Sequence, residues 1–586
     1  MKKKSLLALL LAFSLLLGCM TACGSGAASA NTSAASSTET NADASAEAPA
    51  AEAQETEASA QPDAESAEPE PESEDTALAL EDVELPLFDE PVELTFWTAM
   101  PFFMEGYVSD MGKDLYLLSQ LQADCGFTLN VTSVNGMVVN EQFNLMVAAG
   151  DYTDIMSGVA NYPAGYDAAI SNGIIIDLMD LVPEYAPNYW FYVNSTKDIR
   201  ANIISDDGAL PTVATIYKET GCENRGLLYR QDWLQNFGME EPTTYEELHT
   251  YIQRCNQEYG SKGLALAGSS MGSVAGVVTQ LSYGMDFAIG NYNVIDGKVV
   301  YSYLNENLYD YLELMGTWYA DGSIVNEFYN LATDEGDSGI PNGEYCMVIS
   351  SAANLKTIEN YADVGASYDI GALSAPTDGS GDPLHYRWTD DFSPLKRRDS
   401  WAVSTACENP EDVMKIVNYL FSDAGELFFN YGTEGYTFEY DAGGKPCYTD
   451  VVLNNPDYPE MFATYLFVSN VATEYLPGIM DATVGYYYFG DQEWAIFERF
   501  RDCEADGSYN LPTAVALNEE ENEEYAAVAS DVDTYVTTEL LRFITEPGAL
   551  TRESYDKFQK TVREMGGETM EQLYQAAYER YQNKIA

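Results

Sequence analysis

Residues 140–182 constrain the fold of this chain more than any other stretch. After Asn140, which can cap a helix, apolar residues recur at the spacing of one helical face. Gly150 then supplies the left-handed residue that ends such a helix. Residues 153–156 form a short apolar run, which predicts a buried parallel strand. The stretch therefore predicts an α/β protein in which a helix leads directly into a strand of an open sheet.

The loop after this predicted strand is the first candidate site. It covers residues 157–165 and carries Asn161 and Tyr162, and a second helix over residues 166–172 follows it. Ligands of open α/β sheets bind in the crevice outside the carboxyl ends of the strands. We therefore expect Asn161 and Tyr162 to contact a ligand.

The N-terminus has the features of a secretory signal peptide over residues 1–23. Three lysines are followed by an apolar run at residues 6–17, which is too short to span a bilayer comfortably. Two cysteines then end runs that resemble the bacterial lipobox, in which the cysteine is acylated. We predict acylation at Cys23, because Gly24 to Gly26 are small and flexible, with Cys19 as the alternative because a leucine stands three residues before it.

Residues 24–88 contain no lysine or arginine and consist mostly of alanine, serine, threonine, glutamate and proline. Such a segment cannot bury enough apolar surface to fold, so we expect a disordered acidic tether. The remaining residues, about 500 in number, suffice for two lobes.

The formal net charge of −66 excludes several classes of partner. Nucleic acids need clustered lysine and arginine on the protein, and anionic membrane surfaces repel an acidic one. The seven cysteines outside the signal peptide are odd in number and include no C-x-x-C pair, which predicts neither a zinc site nor a disulfide framework, although one bridge remains open. No D-x-D-x-D-G loop occurs, and we predict no metal and no cofactor.

Several stretches together carry a resemblance to a known family. They are AAGDYTDI and NGIIIDL within residues 140–182, DWLQNFG followed by PTTYEE at residues 232–247, NGEYCMVISS at residues 342–351, and DSWAVSTACENPEDVMKIVNYLF at residues 399–421. These patterns resemble the bacterial extracellular solute-binding proteins of family 1, which include the maltose-binding type and the LplA-like lipoproteins. The resemblance covers most of residues 90–586.

The resemblance implies a two-lobed α/β fold of the type II periplasmic-binding class, with the ligand cleft at the hinge. Each lobe would be a mixed sheet flanked by helices. Residues 89–213 and 400–434 would form lobe 1, and residues 214–399 and 435–586 would form lobe 2. The implied function is capture of a carbohydrate, such as an oligosaccharide, and delivery to the permease subunits of an ABC importer. We expect a monomer held by its lipid anchor at the extracellular face of the cell membrane of a Gram-positive bacterium.

The resemblance also extends the candidate site beyond Asn161 and Tyr162. Loops at strand ends and near the hinge would add the following residues: Phe102, Tyr229, Arg230, Ser351 (with Ser350 as its alternative), Trp388, Trp401 and Tyr436. Asn161 and Arg230 would hydrogen-bond hydroxyls, and the aromatic rings would stack on sugar faces. Trp401 has the hinge core as its alternative location.

Two other functions compete with carbohydrate capture. The same fold could bind another solute, such as a peptide. A secreted serine hydrolase is the second alternative, because the residues around Ser270 fit G-x-S-x-G. His385 is the only histidine after Ser270, it lies in a Pro- and Gly-rich loop, and no HGGG-like oxyanion run occurs. We therefore expect no catalysis.

Overall fold

The computed structural model describes residues 79–101, 104–162, 165–218, 225–266, 279–387, 394–458, 460–468, 475–481, 484, 491–501 and 505–585. Several residues singled out by the sequence lie outside these ranges: Cys19, Cys23, Phe102, Ser270 and Trp388. Within these ranges, no helix combines the length and apolar character needed to cross a membrane.

The described residues contain 14 strands and 20 α-helices. The strands are β1 (Val92–Met100), β2 (Phe127–Asn135), β3 (Ile155–Met156), β4 (Val213–Tyr217), β5 (Arg225–Arg230), β6 (Leu264–Ala265), β7 (Tyr292–Ile295), β8 (Lys298–Tyr301), β9 (Met347–Ser351), β10 (Ile370–Leu373), β11 (Leu395–Val403), β12 (Phe438–Tyr440), β13 (Pro446–Tyr448) and β14 (Ile479–Met480).

The first twelve helices are α1 (Met111–Asp114), α2 (Tyr116–Cys125), α3 (Val139–Ala149), α4 (Gly165–Ser171), α5 (Val182–Tyr185), α6 (Pro187–Val193), α7 (Lys197–Ile203), α8 (Gln231–Phe237), α9 (Tyr245–Tyr259), α10 (Leu308–Ala320), α11 (Thr333–Gly339) and α12 (Leu355–Tyr361). The remaining eight are α13 (Pro410–Leu420), α14 (Asp423–Tyr431), α15 (Asp450–Leu453), α16 (Glu460–Phe467), α17 (Asp491–Arg501), α18 (Glu519–Thr545), α19 (Arg552–Val562) and α20 (Glu568–Ile585).

Lobe 1 is built on a six-stranded sheet in the order β14–β4–β11–β3–β1–β2. β1 is parallel to β2 and β3, and β4 is parallel to β14. β11 is antiparallel to both β3 and β4, so all the other strands run in one direction. The carboxyl ends of β1, β3 and β4 and the amino end of β11 consequently share one edge of the sheet.

The core of lobe 1 lies between this sheet and its helices. β4 is buried along its whole length, as expected for a strand covered on both faces. Phe96 from β1 packs in one cluster with Leu118 from α2, Tyr189 from α6 and Val417 from α13, and all four are fully buried. Burial of each such side chain stabilises the fold by about 1.5–3 kcal/mol relative to exposure.

Lobe 2 is built on a four-stranded sheet in the order β10–β5–β9–β6. β5 is antiparallel to β9 and β10, and β6 is parallel to β9. Helices α9, α10 and α18 contribute Tyr251, Leu312 and Leu540 to its main core cluster. α9 begins with a capping box, because the Thr244 hydroxyl accepts the Glu247 amide and the Glu247 carboxylate accepts the Thr244 amide.

The chain passes between the lobes three times. The connections run from β4 to β5, from β10 to β11 and from β14 to α17, and each includes residues outside the described ranges. The sequence analysis placed residues 435–586 in lobe 2, and this is wrong for the described residues of 435–480. They belong to lobe 1, because β14 pairs with β4. The short strand β14, at the end of residues 435–480, has no sequence pattern that predicts a strand of lobe 1.

The predicted tether also extends too far toward the body. The Glu81 amide donates to Asn188 Oδ1 at 2.7 Å, and the Leu87 amide donates to the Cys125 carbonyl at 3.0 Å. The chain is therefore packed on lobe 1 from about residue 81 onward.

Candidate functional site

Two sheet edges face the connections between the lobes. In lobe 1, the carboxyl end of β4 leads into the amino end of β5 in lobe 2. We call the edge formed by the carboxyl ends of β1, β3 and β4 and the amino end of β11 the lobe 1 cleft edge. The lobe 2 cleft edge is formed by the amino end of β5 and the carboxyl ends of β6, β9 and β10. A cleft at these edges follows the general location of ligands in open α/β sheets.

The loop after β3 places two predicted site residues at the lobe 1 cleft edge. Gly158 has a φ of +84°, which lets the chain turn sharply after the strand, and the Asn161 amide donates to its carbonyl at 3.0 Å. Asn161 and Tyr162 are both half-buried. The Tyr162 hydroxyl accepts a hydrogen bond from Asn172 Nδ2 at 3.0 Å, which fixes the ring against α4.

A charged cluster that the sequence analysis missed lies on the same edge. The Asp399 carboxylate is 5 % exposed and accepts hydrogen bonds from the Ala160 amide at 2.9 Å and from Arg397 Nε at 3.0 Å. It thereby ties β11 to the loop after β3. The Arg398 guanidinium carbon lies 4.5 Å from the centroid of the Tyr166 ring on α4. Burial, and after it the Asp399 charge, raises the pKa of Tyr166. The sequence feature that could have indicated this cluster is the run of three basic residues at 396–398.

The lobe 2 cleft edge carries Ser351, another predicted site residue. Ser351 ends β9 and pairs with Arg225, the first residue of β5. Next to it, Asn354 Nδ2 donates to Asp337 Oδ2 at 3.0 Å, and burial raises the pKa of that carboxyl group. Ser350, the alternative to Ser351, is fully buried. Ser351 and Arg225 are both half-buried at this edge.

The predicted contacts from Tyr229 and Arg230 are wrong, because β5 runs away from the cleft. These residues end the strand at its far end and are 2 % and 4 % exposed. Arg230 forms an ion pair with Asp232 at 2.7 Å, and its guanidinium carbon lies 4.3 Å from the Trp233 ring centroid. The sequence analysis assumed that ligands meet the carboxyl end of every strand, which fails for an antiparallel strand that enters from the hinge.

Trp401 is a core residue of lobe 1, so its prediction as a stacking surface is also wrong. Its side chain is fully buried and packs edge-on against Phe96 at a centroid distance of 5.9 Å. The indole Nε1 donates to the Tyr475 carbonyl at 2.9 Å. No face of the ring is left for a sugar.

Tyr436 lies in the segment of residues 435–480 in lobe 1, and it does not follow the end of a sheet strand. Its ring is 42 % exposed and contacts Tyr116, the first residue of α2, at a centroid distance of 5.0 Å. It lines a surface cavity of about 570 Å³ beside the β12–β13 hairpin, together with Glu439, Tyr440 and Asp450. Tyr436 therefore lines this cavity and does not follow the end of a strand of the six-stranded sheet.

A second cavity, of about 380 Å³, lies in lobe 2 and is lined by four aspartates: Asp286, Asp310, Asp378 and Asp382. Asp286 Oδ1 is occupied by the backbone amides of His385 and Tyr386. No group of three or more histidine, cysteine or acidic side chains suited to a metal ion occurs among the residues that the structure describes.

Comparison with known proteins agrees with this architecture. The chain is 19 % identical over 483 residues to lipoprotein LipO of Bacillus subtilis (strain 168), covering 78 % of this chain and 89 % of LipO. The fold resembles the crystal structure of alginate-binding protein AlgQ2 without calcium ion, with a TM-score of 0.60, 18 % identity and coverage of 85 % of this chain and 100 % of that one. It also resembles the S. pneumoniae ABC-transporter substrate binding protein FusA in complex with kestose, with a TM-score of 0.61, 17 % identity and coverage of 84 % and 99 %.

The family model of the bacterial extracellular solute-binding proteins matches residues 112–427, which is more than half of the chain. Together with the two-lobed fold, this match identifies the class of protein. The family consists of binding proteins and not of enzymes. The chain belongs to the bacterial extracellular solute-binding proteins.

Proposed function

We propose that this protein captures an oligosaccharide between its two lobes and delivers it to the permease subunits of an ABC importer. The observation that carries the proposal is that polar side chains lie at the two sheet edges between which the chain passes from lobe to lobe. Asn161, Tyr162 and Tyr166 line the lobe 1 cleft edge, and Arg225 and Ser351 line the lobe 2 cleft edge. Tyrosine rings present flat apolar faces beside polar tips, which suits the faces and hydroxyl groups of a sugar.

The names of similar proteins support a sugar ligand. AlgQ2 is named as an alginate-binding protein, and FusA was crystallised with kestose. The sugars named for these two proteins are different. The two names therefore support the class of ligand for this protein and not the identity of the ligand. Closure of the lobes would exclude water and strengthen each hydrogen bond to the ligand.

The N-terminal segment supports a location at the outer face of the cell membrane. Cys23, or in its place Cys19, would be acylated, and the acidic segment behind it would tether the body. The similar LipO is itself named a lipoprotein. Mass spectrometry of the mature N-terminus tests the anchor, and an unmodified terminus cut elsewhere would refute it.

A thermal-shift screen tests the proposed function. The body without its signal peptide would be mixed with oligosaccharides of two to six rings, with peptides as a second panel. A ligand present at 100 times its dissociation constant stabilises the folded state by about 2.7 kcal/mol, which is a readily measured shift. Shifts with peptides alone would overturn the proposal in favour of a peptide-binding protein. Cleavage of an ester or glycoside that Ser270→Ala abolished would overturn it in favour of a hydrolase.

A further inference from the structure

We propose that the oligosaccharide is an acidic one, and that Arg398 at the lobe 1 cleft edge, supported by Arg397, binds a sugar carboxylate. This inference rests on the proposed function and narrows its class of ligand. It arises from the distribution of charge and from two polar side chains without partners.

Positive charge is scarce in this chain, and its one run beyond the N-terminus lies at the cleft. The sequence contains 28 lysines and arginines against 94 aspartates and glutamates. After the N-terminal lysines, residues 396–398 form the only run of adjacent basic residues. A chain with few cations therefore places three of them in succession at the amino end of β11.

An irregularity in β11 holds this run at the cleft. Leu395 pairs with Ile216 and Trp401 pairs with Val213, so seven residues of β11 lie opposite four residues of β4. Bulges of this kind re-aim side chains and are frequent beside functional sites. The Thr212 hydroxyl donates to the Arg398 carbonyl at 2.8 Å and holds the bulge in place.

The Arg398 side chain has no anionic partner in the part of the chain that the structure describes. Its guanidinium makes no hydrogen bond or ion pair there, and it lies over the Tyr166 ring. Arg397, by contrast, is bonded through Nε to Asp399, and Asp399 is further occupied by the Ala160 amide. Arg398 Nε is buried without a partner, whereas its Nη atoms are not among the buried ones.

A partly buried guanidinium without an acceptor is costly, and such groups call for an explanation. The sequence contains 94 aspartates and glutamates, yet none of those in the described residues pairs with the Arg398 guanidinium. A ligand carboxylate accepts two parallel hydrogen bonds from a guanidinium, which fits the free Nη atoms of Arg398. The stack on Tyr166 holds the guanidinium plane in position for such a contact.

Asp167 on α4 makes a sugar acid a better fit than a simple anion. Its Oδ1 is also buried without a partner, so it is bonded neither to Arg398 nor to any other described group. Asp167 repels a phosphate or sulfate ion as it repels a sugar carboxylate, but such an ion has no ring hydroxyls to donate to it. A uronate ring offers hydroxyl donors for Asp167 next to the carboxylate that Arg398 binds. Lys584, at the end of α20, lies close enough to both Arg398 and Asp167 for their charges to act on it, and adds a further cation.

Calorimetric titration of the body with matched sugars tests this inference. The probes are trimers of galacturonate, mannuronate and glucuronate-containing chains, each paired with its fully methyl-esterified form, which keeps the rings and removes the charge. We expect at least one acid trimer to bind and its ester to bind at least tenfold more weakly. Raising the sodium chloride concentration from 50 to 500 mM should weaken the acid form only.

Variants of the arginine separate its charge from its packing. Arg398→Gln should weaken the acid trimer about tenfold or more and leave the ester unchanged, and Arg398→Lys should restore part of the loss. Arg200→Gln is the matched control, because Arg200 also lies over an aromatic ring in lobe 1, that of Trp190, and its guanidinium bonds the Asn194 amide oxygen. It should change neither affinity. Melting temperatures of all variants verify that each is folded.

The outcomes separate this inference from the proposed function. Equal binding of acid and ester, or an unchanged acid affinity in Arg398→Gln, would overturn the inference. Binding of neutral oligosaccharides alone would overturn it as well and leave the proposed function intact. Failure of every oligosaccharide, acidic or neutral, would overturn the proposed function itself.

Discussion

Replacement of Trp401 by alanine should destabilise the protein and should not act through ligand contacts. The indole is fully buried in the core of lobe 1, against Phe96, and donates to the Tyr475 carbonyl at 2.9 Å. Truncation of a buried tryptophan costs about 3–5 kcal/mol through lost burial and the cavity left behind. The orphaned carbonyl adds about 1–3 kcal/mol. We expect a loss of about 4–8 kcal/mol, a large part of the roughly 5–15 kcal/mol by which domains are usually stable.

Urea unfolding followed by far-ultraviolet circular dichroism measures this loss. Trp401→Phe keeps an aromatic ring but removes the donor and part of the ring volume, so it should cost at least about 1 kcal/mol and less than Trp401→Ala. Tyr440→Ala is the control, because its side chain is 47 % exposed and surface truncations usually change stability by less than about 0.5 kcal/mol.

One result would refute the core assignment of Trp401. If Trp401→Ala changed the free energy of unfolding by less than about 1 kcal/mol and weakened the identified ligand tenfold, the ring would contact ligand after all. A large loss of stability with no change in affinity at a temperature where the variant is folded would support the assignment.

Three further predictions follow from particular contacts. Gly226→Ala should cost about 1–3 kcal/mol, because its Cβ would lie 2.2 Å from the Phe500 ring; an unchanged melting temperature would contradict this packing. Arg230→Gln should cost about 2 kcal/mol by leaving Asp232 without its ion partner, and calorimetry should find ligand affinity unchanged. The pKa of Asp506 is lowered from 3.8 to about 2, chiefly by the backbone amide two residues later. Because this folded-state pKa lies below the unfolded one, Asp506 stabilises the fold above about pH 4 and loses that effect toward pH 2. Asp506→Asn should therefore reduce the acid dependence of unfolding in that window, and an unchanged pH profile would count against the assigned contact.

The ends of helices were predictable where a single residue type meets a specific requirement of the backbone. Gly150 ends α3 in the left-handed conformation with a φ of +66°, as predicted, and Thr244 caps α9. Asn140 does not cap α3, because a preceding turn is capped by Asn135 and the helix begins one residue earlier.

The positions of the candidate residues relative to the strand ends were easier to predict around β3 than around β5, for a reason of topology. Asn161 follows β3, which runs parallel to β1 and so ends at the same edge of the sheet as β1 does. The direction of β5 depends on where the chain enters lobe 2, and no local pattern records this. The burial of Trp401 likewise depends on Tyr475, 74 residues further along the chain.

The C-terminal helix limits how the two lobes can move. α20 packs against β8 in lobe 2, and its last turns also contact α7 in lobe 1. There Lys584 Nζ donates to the Ala201 carbonyl at 3.0 Å, and the Tyr581 ring joins Ala201 in a small core. These contacts and the three chain connections all join the lobes. In a rigid-body closure, atoms close to the rotation axis move least, so contacts that persist must lie near it. If the lobes close on a ligand without breaking the α20–α7 contact, the hinge axis passes close to Ala201. Arg398 lies beside that axis, because Lys584 bonds the Ala201 carbonyl and is close enough to Arg398 to be affected by its charge. Arg398 would then keep nearly the same position relative to lobe 2 in the open and closed states, so the proposed contact with an acidic sugar could form before closure.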